Sequence, residues 1–307
     1  MIKKLNYSLS ERASIAFGAA YADEDGGMNS IIDFGFPVPA SYKLTRDSHA
    51  VFAEICIEFI DKLAITAGIR HDEAEQLSVT TTRFIGQYDL NANTSVSFQF
   101  NEGFKLPSFF ALAHPFVGNS ELMPETSENY EISIERQFLT NKLSSRFSLY
   151  KNTYSDLVDF DAIAFTNVNR DRVRVQGAEV YLAFDANSQL HLTGQVSFND
   201  IDTFEADTVL RRRPKLKASL LARYNMRDNL SVTGRYTVND GYYDSSIATG
   251  MVKMDGVGRI DLSGNWQVSH DLSLRLNINN VLDANEEESI GFENSGRSMT
   301  LSLTKLL

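Results

Sequence analysis
The chain has 307 residues, a formal net charge of −11 and a pI near 5.0. That balance excludes the basic face a nucleic-acid partner needs. One cysteine, Cys56, excludes an internal disulfide and a cysteine metal cluster, and no run of about 18 apolar residues is present to form a transmembrane helix.

The first residues, Met1 to Ser10, carry two lysines with no apolar stretch behind them, so no signal peptide is expected. Period-two alternation then runs from end to end. Ile15, Phe17, Ala19 and Tyr21 share one face, followed by Val51, Ala53, Ile55, Ile57 and Phe59. Leu63 to Ile69, Phe84 to Leu90 and Val96 to Phe100 continue the pattern. Cys56 reads as a small packed side chain. Asp23-Glu-Asp-Gly-Gly27 has two readings: a solvated acidic loop, or a cation loop with Asp23 and Asp25 as calcium ligands.

The next stretch, Gly103 to Arg136, breaks at Pro107, Pro115, Gly118 and Pro124 and then resumes as a strand with Tyr130, Ile132, Ile134 and Phe138 on one face. A long aromatic, proline-bounded connection between two strands is a candidate functional loop, and residues 104–125 are expected to pack as an ordered excursion.

The second half alternates more cleanly. Leu192, Leu220, Val232, Leu262 and Leu274 sit mid-strand on apolar faces, opposite residues such as Gln195, Lys217, Arg235, Asn265 and Arg275. Polar faces this rich in Arg, Gln and Asn suit a wet lumen better than a soluble sandwich, although a sandwich also alternates. Tyr150, Tyr224, Tyr236 and Trp266 are girdle or wall residues on this reading.

Connections also alternate in length. Short ones fall near 10–11, 61–62, 91–93, 140–141, 187–188, 227–228 and 270–271. Long ones fall near 23–45, 73–79, 104–125, 201–210, 241–252 and 284–296, with 161–166 the short exception. This is the outer-membrane pattern of short periplasmic turns and long extracellular loops. The fold class is therefore all-β, an antiparallel transmembrane barrel of about 15 strands.

No catalytic constellation appears: there is no G-x-S-x-G, H-E-x-x-H or C-x-x-C, and the five histidines are scattered. The expectation is no enzyme and no cofactor. Phe109, Phe110, Phe116, Tyr242 and Tyr243 lie in or beside long loops, and His114 lies among the first three. They either stack on a bulky small-molecule ligand or belong to the interfacial girdle. Arg211-Arg-Arg213 before Pro214 is either an anion site for lipopolysaccharide phosphates or a structural feature. Glu286-Glu-Glu288 reads as a solvated acidic run.

The string Gly103, Phe104, Lys105, Pro107, Ser108, followed by Gly118, Asn119, Leu122, Pro124, Glu125 and Ser127, resembles the barrel region of TonB-dependent outer-membrane receptors. The resemblance continues through Val209 to Pro214, Asn279 to Asp283 and Gly296 to Ser298, about two thirds of the chain, and comes nearest to the cobalamin receptors. It implies residence in the outer membrane of a Gram-negative bacterium, with TonB, membrane lipid, lipopolysaccharide and a scarce small-molecule ligand such as cobalamin or a siderophore as partners. Receptors of this size have 22 strands around a plugged lumen. Residues 1–307 are then expected to be the C-terminal barrel portion, with the plug domain and the TonB box absent.

Overall fold
The computed structural model describes residues 1–75, 77–140, 142–204, 209–246, 248–285 and 287–306. Gln76, Asn141, residues 205–208 of the loop near 201–210, Ile247, Glu286 and Leu307 lie outside the described residues.

The chain is almost entirely strand. In order these are β1 (Ile2–Ser10), β2 (Ala13–Asp33), β3 (Pro37–Ile60), β4 (Leu63–Ala74), β5 (Leu77–Asn91) and β6 (Thr94–Lys105). A short helix α1 (Phe109–Ala113) precedes β7 (Glu125–Phe138), β8 (Leu143–Asp161), β9 (Thr166–Asp185), β10 (Leu190–Thr203), β11 (Leu216–Arg227) and β12 (Leu230–Asn239). The rest are β13 (Tyr242–Ser246), β14 (Gly250–Met254), β15 (Gly258–Gln267), β16 (Leu272–Asn279), β17 (Glu287–Ser289), β18 (Phe292–Glu293) and β19 (Ser298–Lys305).

Fifteen strands form one sheet in chain order, each antiparallel to its neighbour, with β13–β14 and β17–β18 as separate hairpins above it. Short turns between apolar alternating runs dictate this order, because a two-residue turn permits only antiparallel neighbours. The sheet is open: β1 and β19 are its edges.

Register turns the alternation into two surfaces. Tyr88, Val96, Ile134, Phe147, Val180, Val196, Ala218 and Val238 stand side by side across eight successive strands. One residue along, Gln87, Ser97, Ser133, Ser148, Glu179, Ser197 and Lys217 line up on the other face. The apolar surface is bare, with Ile132, Leu149, Phe198, Leu220 and Leu262 all exposed. Exposed large side chains at such density mark a face solvated by lipid. Of the residues expected to face lipid, Ile134, Leu220, Val232 and Leu262 are exposed and Leu192 and Leu274 are half-covered by neighbouring strands. Tyr224, Tyr236 and Trp266 are exposed on this outer face.

The polar surface is concave. One cavity of about 560 Å³ is lined by Gln99 of β6, Tyr150 of β8, Asn199 of β10 and Lys217 of β11, strands that only a curved sheet brings together. Tyr150 lies across Gly177 there, where a Cβ would stand 2.7 Å from its hydroxyl, and donates to Asn199 Oδ1 at 2.6 Å. It is therefore an inner-wall residue.

Three expectations are corrected. Residues 23–45 are not a long loop: β2 and β3 stay paired from Ala13↔Ile57 to Asp33↔Pro37. β2 and β3 hold 21 and 24 residues, where a tilted crossing takes about 9–11, so their upper half projects beyond the membrane. The connection near 73–79 is also short, since β4 ends at Ala74 and β5 begins at Leu77. Cys56 is exposed rather than packed, because its position on β3 faces the open lumen.

Candidate functional site
The excursion between β6 and β7 folds back over the concave face. Pro107 and Ser108 start it: Ser108 has extended backbone and its Oγ accepts from Ala111 N–H at 3.1 Å, capping α1. Pro115 prevents the helix from continuing past His114. The chain then doubles back, with Asn119 N–H donating to Ala111 C=O at 2.8 Å. Gly118 permits this: a Cβ there would sit 2.5 Å from His114 N and 2.6 Å from His114 O, both backbone atoms.

The remaining motif residues fasten the excursion to the β8–β9 hairpin. Asn119 Nδ2 donates to Asn167 C=O at 3.0 Å, while its Oδ1 accepts from Glu121 N–H at 2.9 Å. Asn167 Nδ2 returns a bond to Val117 C=O at 2.6 Å, and Asn169 pairs with both backbone groups of Met123. Glu125 accepts from Val158 N–H at 2.9 Å and holds Lys105 at 3.2 Å. Leu122 is buried, Pro124 is half-buried, and Gly103 admits Ser127 Oγ within 3.0 Å of where its Cβ would be. The motif is thus a set of braces.

On its other side the excursion reaches β2 and β3. The Phe109 ring occupies the space a Cβ on Gly26 would fill. Arg46 lies over that ring at 4.9 Å, donates to Pro107 C=O at 3.0 Å and pairs with Glu24 at 2.7 Å. Phe34 at the hairpin tip meets Phe116 edge-on at 5.4 Å. Asp23-Glu-Asp-Gly-Gly27 is therefore not a loop but part of β2, and its three acidic residues are exposed. Its Glu24 anchors Arg46 and its Gly26 seats Phe109. Asp25 stands 3.8 Å from Lys43, and Asp23 lies opposite Asp47 in the ladder. Among the described residues no group of three or more His, Cys, Asp or Glu is placed to hold a metal ion.

The six aromatic and histidine candidates fall into two groups. Phe109 is committed to packing. Phe110, 47% exposed, meets buried His114 at 4.6 Å with the rings tilted by 44°, and His114 meets Phe116 at 5.9 Å, so these three rings and Phe34 make one aromatic run at the mouth. Tyr242 and Tyr243 belong to β13 instead. Tyr242 donates to Glu288 C=O at 2.9 Å, whereas Tyr243 is 43% exposed.

Sequence reading missed Asp244, which is fully buried. It accepts from Arg212 Nε at 3.2 Å, Ser289 Oγ at 3.0 Å and Ile290 N–H at 3.2 Å, so it ties three outer segments together. Burial pushes its carboxyl upward, but the Ser245 and Ile290 N–H groups, Arg212 and Ser289 outweigh that and hold it below the ordinary range. Arg211 pairs with Asp159 at 3.0 Å. The arginine run was the visible signal; its partners lie too far along the chain to be inferred from it.

A sequence-family profile described as TonB dependent receptor-like, beta-barrel matches residues 3–281. Among solved structures, the chain is similar to the copper transporter OprC (14% identity, TM-score 0.79, covering 96% of this chain and 54% of that one). It is similar to the ferric-catecholate import receptor Fiu from E. coli K12 (17%, 0.77, 95% and 52%). It is also similar to a ferric enterobactin receptor mutant from Pseudomonas aeruginosa (14%, 0.76, 99% and 53%). The chain spans about half the length of these proteins.

Proposed function
Because the chain belongs to the TonB-dependent receptor β-barrel family, we propose that it forms part of the wall of an active-transport receptor for a scarce ligand, such as cobalamin or an iron–siderophore. Its location is the Gram-negative outer membrane. The observation that carries the proposal is the excursion of residues 106–124. It is braced from both sides and holds exposed Phe110 against His114 over a concave polar wall. Rigid aromatic faces at a mouth bind bulky ligands with little ordering entropy. Phe110, with Phe116 and His114 behind it, takes the ligand on this reading, and Tyr243 contributes from β13.

The open edges support a division of labour. Unpaired N–H and C=O groups on β1 and β19 are not satisfied by lipid, so the wall is completed by further strands. A barrel of the family's width also needs a plug. We assign the plug and the TonB contact to receptor sequence outside residues 1–307. The test is ligand-limited growth of a strain lacking its own receptor, using cobalamin and iron–siderophores in turn. Residues 1–307 alone should give no TonB-dependent rescue, and the chain joined to plug and remaining strands should give it. Rescue that persists without TonB would show a passive pore instead.

A further inference from the structure
Arg211-Arg-Arg213 is a motif that the receptor reading leaves without a role, and its first two side chains point to opposite partners. Pro214 is buried and disfavours helical backbone at Arg213, so the turn falls on Arg211 and Arg212. Arg212 stands at φ +57°, in the left-handed region that a residue with a Cβ rarely adopts. Such backbone persists only where its surroundings hold it. Here the Arg212 N–H donates to Tyr243 C=O at 2.8 Å, and its guanidinium donates to Asp244 at 3.2 Å and to Ser289 Oγ at 2.7 Å.

Arg211 reaches the other way. Its Nη2 donates to Asp159 Oδ1 at 3.0 Å near the top of β8, while Asp159 Oδ2 holds Arg170 of β9 at 3.4 Å. Asp159 therefore ties the corner to the β8–β9 hairpin, as Asp244 ties it to β13 and β17. Neither is a freely solvated surface pair: the Asp159 side chain is 20% exposed and that of Asp244 not at all. Every one of these partners belongs to this chain and lies on its outer side.

We propose that the Arg211–Arg212 corner is a conformational coupler, which makes the upper β8–β9 hairpin and the β13 and β17 hairpins open and close as one unit. Two consecutive side chains on a left-handed turn do not relax separately. When Asp159 releases Arg211, Arg212 returns to an ordinary φ. That swing carries its guanidinium off Asp244 and Ser289 and its N–H off Tyr243. The coupling is reciprocal, so loosening at Asp244 also frees Arg211 from Asp159. The β8–β9 hairpin braces the excursion through Asn167 and Asn169, so tightening at the mouth is passed on to β13 and β17. That consequence rests on the receptor reading above; the coupling itself does not.

Hydrogen exchange on the full chain folded in non-ionic detergent tests the coupling. D159N takes the charged partner from Arg211 and leaves every residue of β13 and β17 in place. Exchange should rise about tenfold in residues 157–170 and equally in residues 242–246 and at Ile290, whose N–H donates to Asp244. D161A is the control. It removes the acceptor of the Ile163 and Ala164 N–H groups, at 2.8 and 2.9 Å, and so loosens the same hairpin away from Arg211. It should leave residues 242–246 and Ile290 unchanged. R212G keeps the turn, since glycine adopts left-handed backbone freely, but has no guanidinium. It should raise exchange in β13 and β17 by itself, and adding D159N to it should bring no further rise there. A D159N effect confined to residues 157–170, an equal rise at Ile290 in D159N and D161A, or a further tenfold rise in D159N/R212G overturns the proposal. If D159N does not fold, R211Q withdraws the same contact from the other side and carries the same expectations. The measurement uses neither ligand nor TonB, so failure of the receptor reading would leave its outcome standing.

Discussion

Asn119→Ala isolates what the excursion contributes. The substitution removes two hydrogen bonds, Nδ2 to Asn167 C=O at 3.0 Å and Glu121 N–H to Oδ1 at 2.9 Å. At about 1 kcal/mol net for each, docking of residues 117–123 onto β9 weakens by about 2 kcal/mol. The barrel strands keep every ladder bond, so the loss is local. At about 1.4 kcal/mol per factor of ten, the opening constant of the segment rises about thirtyfold. Hydrogen exchange on the folded protein in detergent reads this directly. Amides of Gly118 and Asn119, which donate to His114 and Ala111 carbonyls, should lose about thirtyfold protection while Ile132 and Ile134 stay unchanged. Unchanged protection at Gly118 would refute the reading of Asn119 as a brace; equal loss in β7 would show the effect to be global unfolding.

Three more outcomes follow from the same geometry. Leu220→Arg on the lipid face should lower stability in bilayers by about 2–4 kcal/mol, whereas Ser219→Arg, one residue away on the lumen face, should lower it far less; chemical denaturation in lipid vesicles compares them, and equal losses contradict the face assignment. Gly26→Val should expel the Phe109 ring, exposing the excursion to chymotrypsin at Phe109 and Phe110 with the rest of the chain still protected; an unaltered digestion pattern means the ring has another seat. Asp244 has a depressed folded value, so its stabilisation is present above the ordinary carboxylate range near pH 3.9 and is lost as pH falls through that lower folded value. Protease sensitivity of β13 and β17 should therefore rise in acid, and Asp244→Asn should show it already at neutral pH and without further change on acidification.

The wall was legible because a strand's side-chain period is two and each turn is local. Leu220 and Ser219 announce their faces without knowledge of any distant residue. The excursion was legible as a unit, since its prolines and Gly118 mark breaks that no strand tolerates. Its contacts were not. Phe109 and Phe110 are identical neighbours in sequence, yet one is packed on Gly26 and the other exposed, a distinction set by a hairpin far earlier in the chain. Asp244 was hidden for the same reason, and the pairing of residues 23–45 was hidden because Gly26-Gly27 and three aspartates argue locally against strand.

Among the described residues, the upper part of β2 and β3 has no other strand beside it: β1 leaves β2 at Ala20, and β4 joins β3 only at Ser48. A lone two-stranded ribbon is marginal in water, so this one persists through the Phe109 and Phe116 rings that rest on it. In evolutionary terms the ribbon and the excursion are then one inheritable unit. A side chain gained at position 26 has to be answered by a smaller one at position 109, and grafting the excursion into another barrel would transfer a stable mouth only if the ribbon travelled with it.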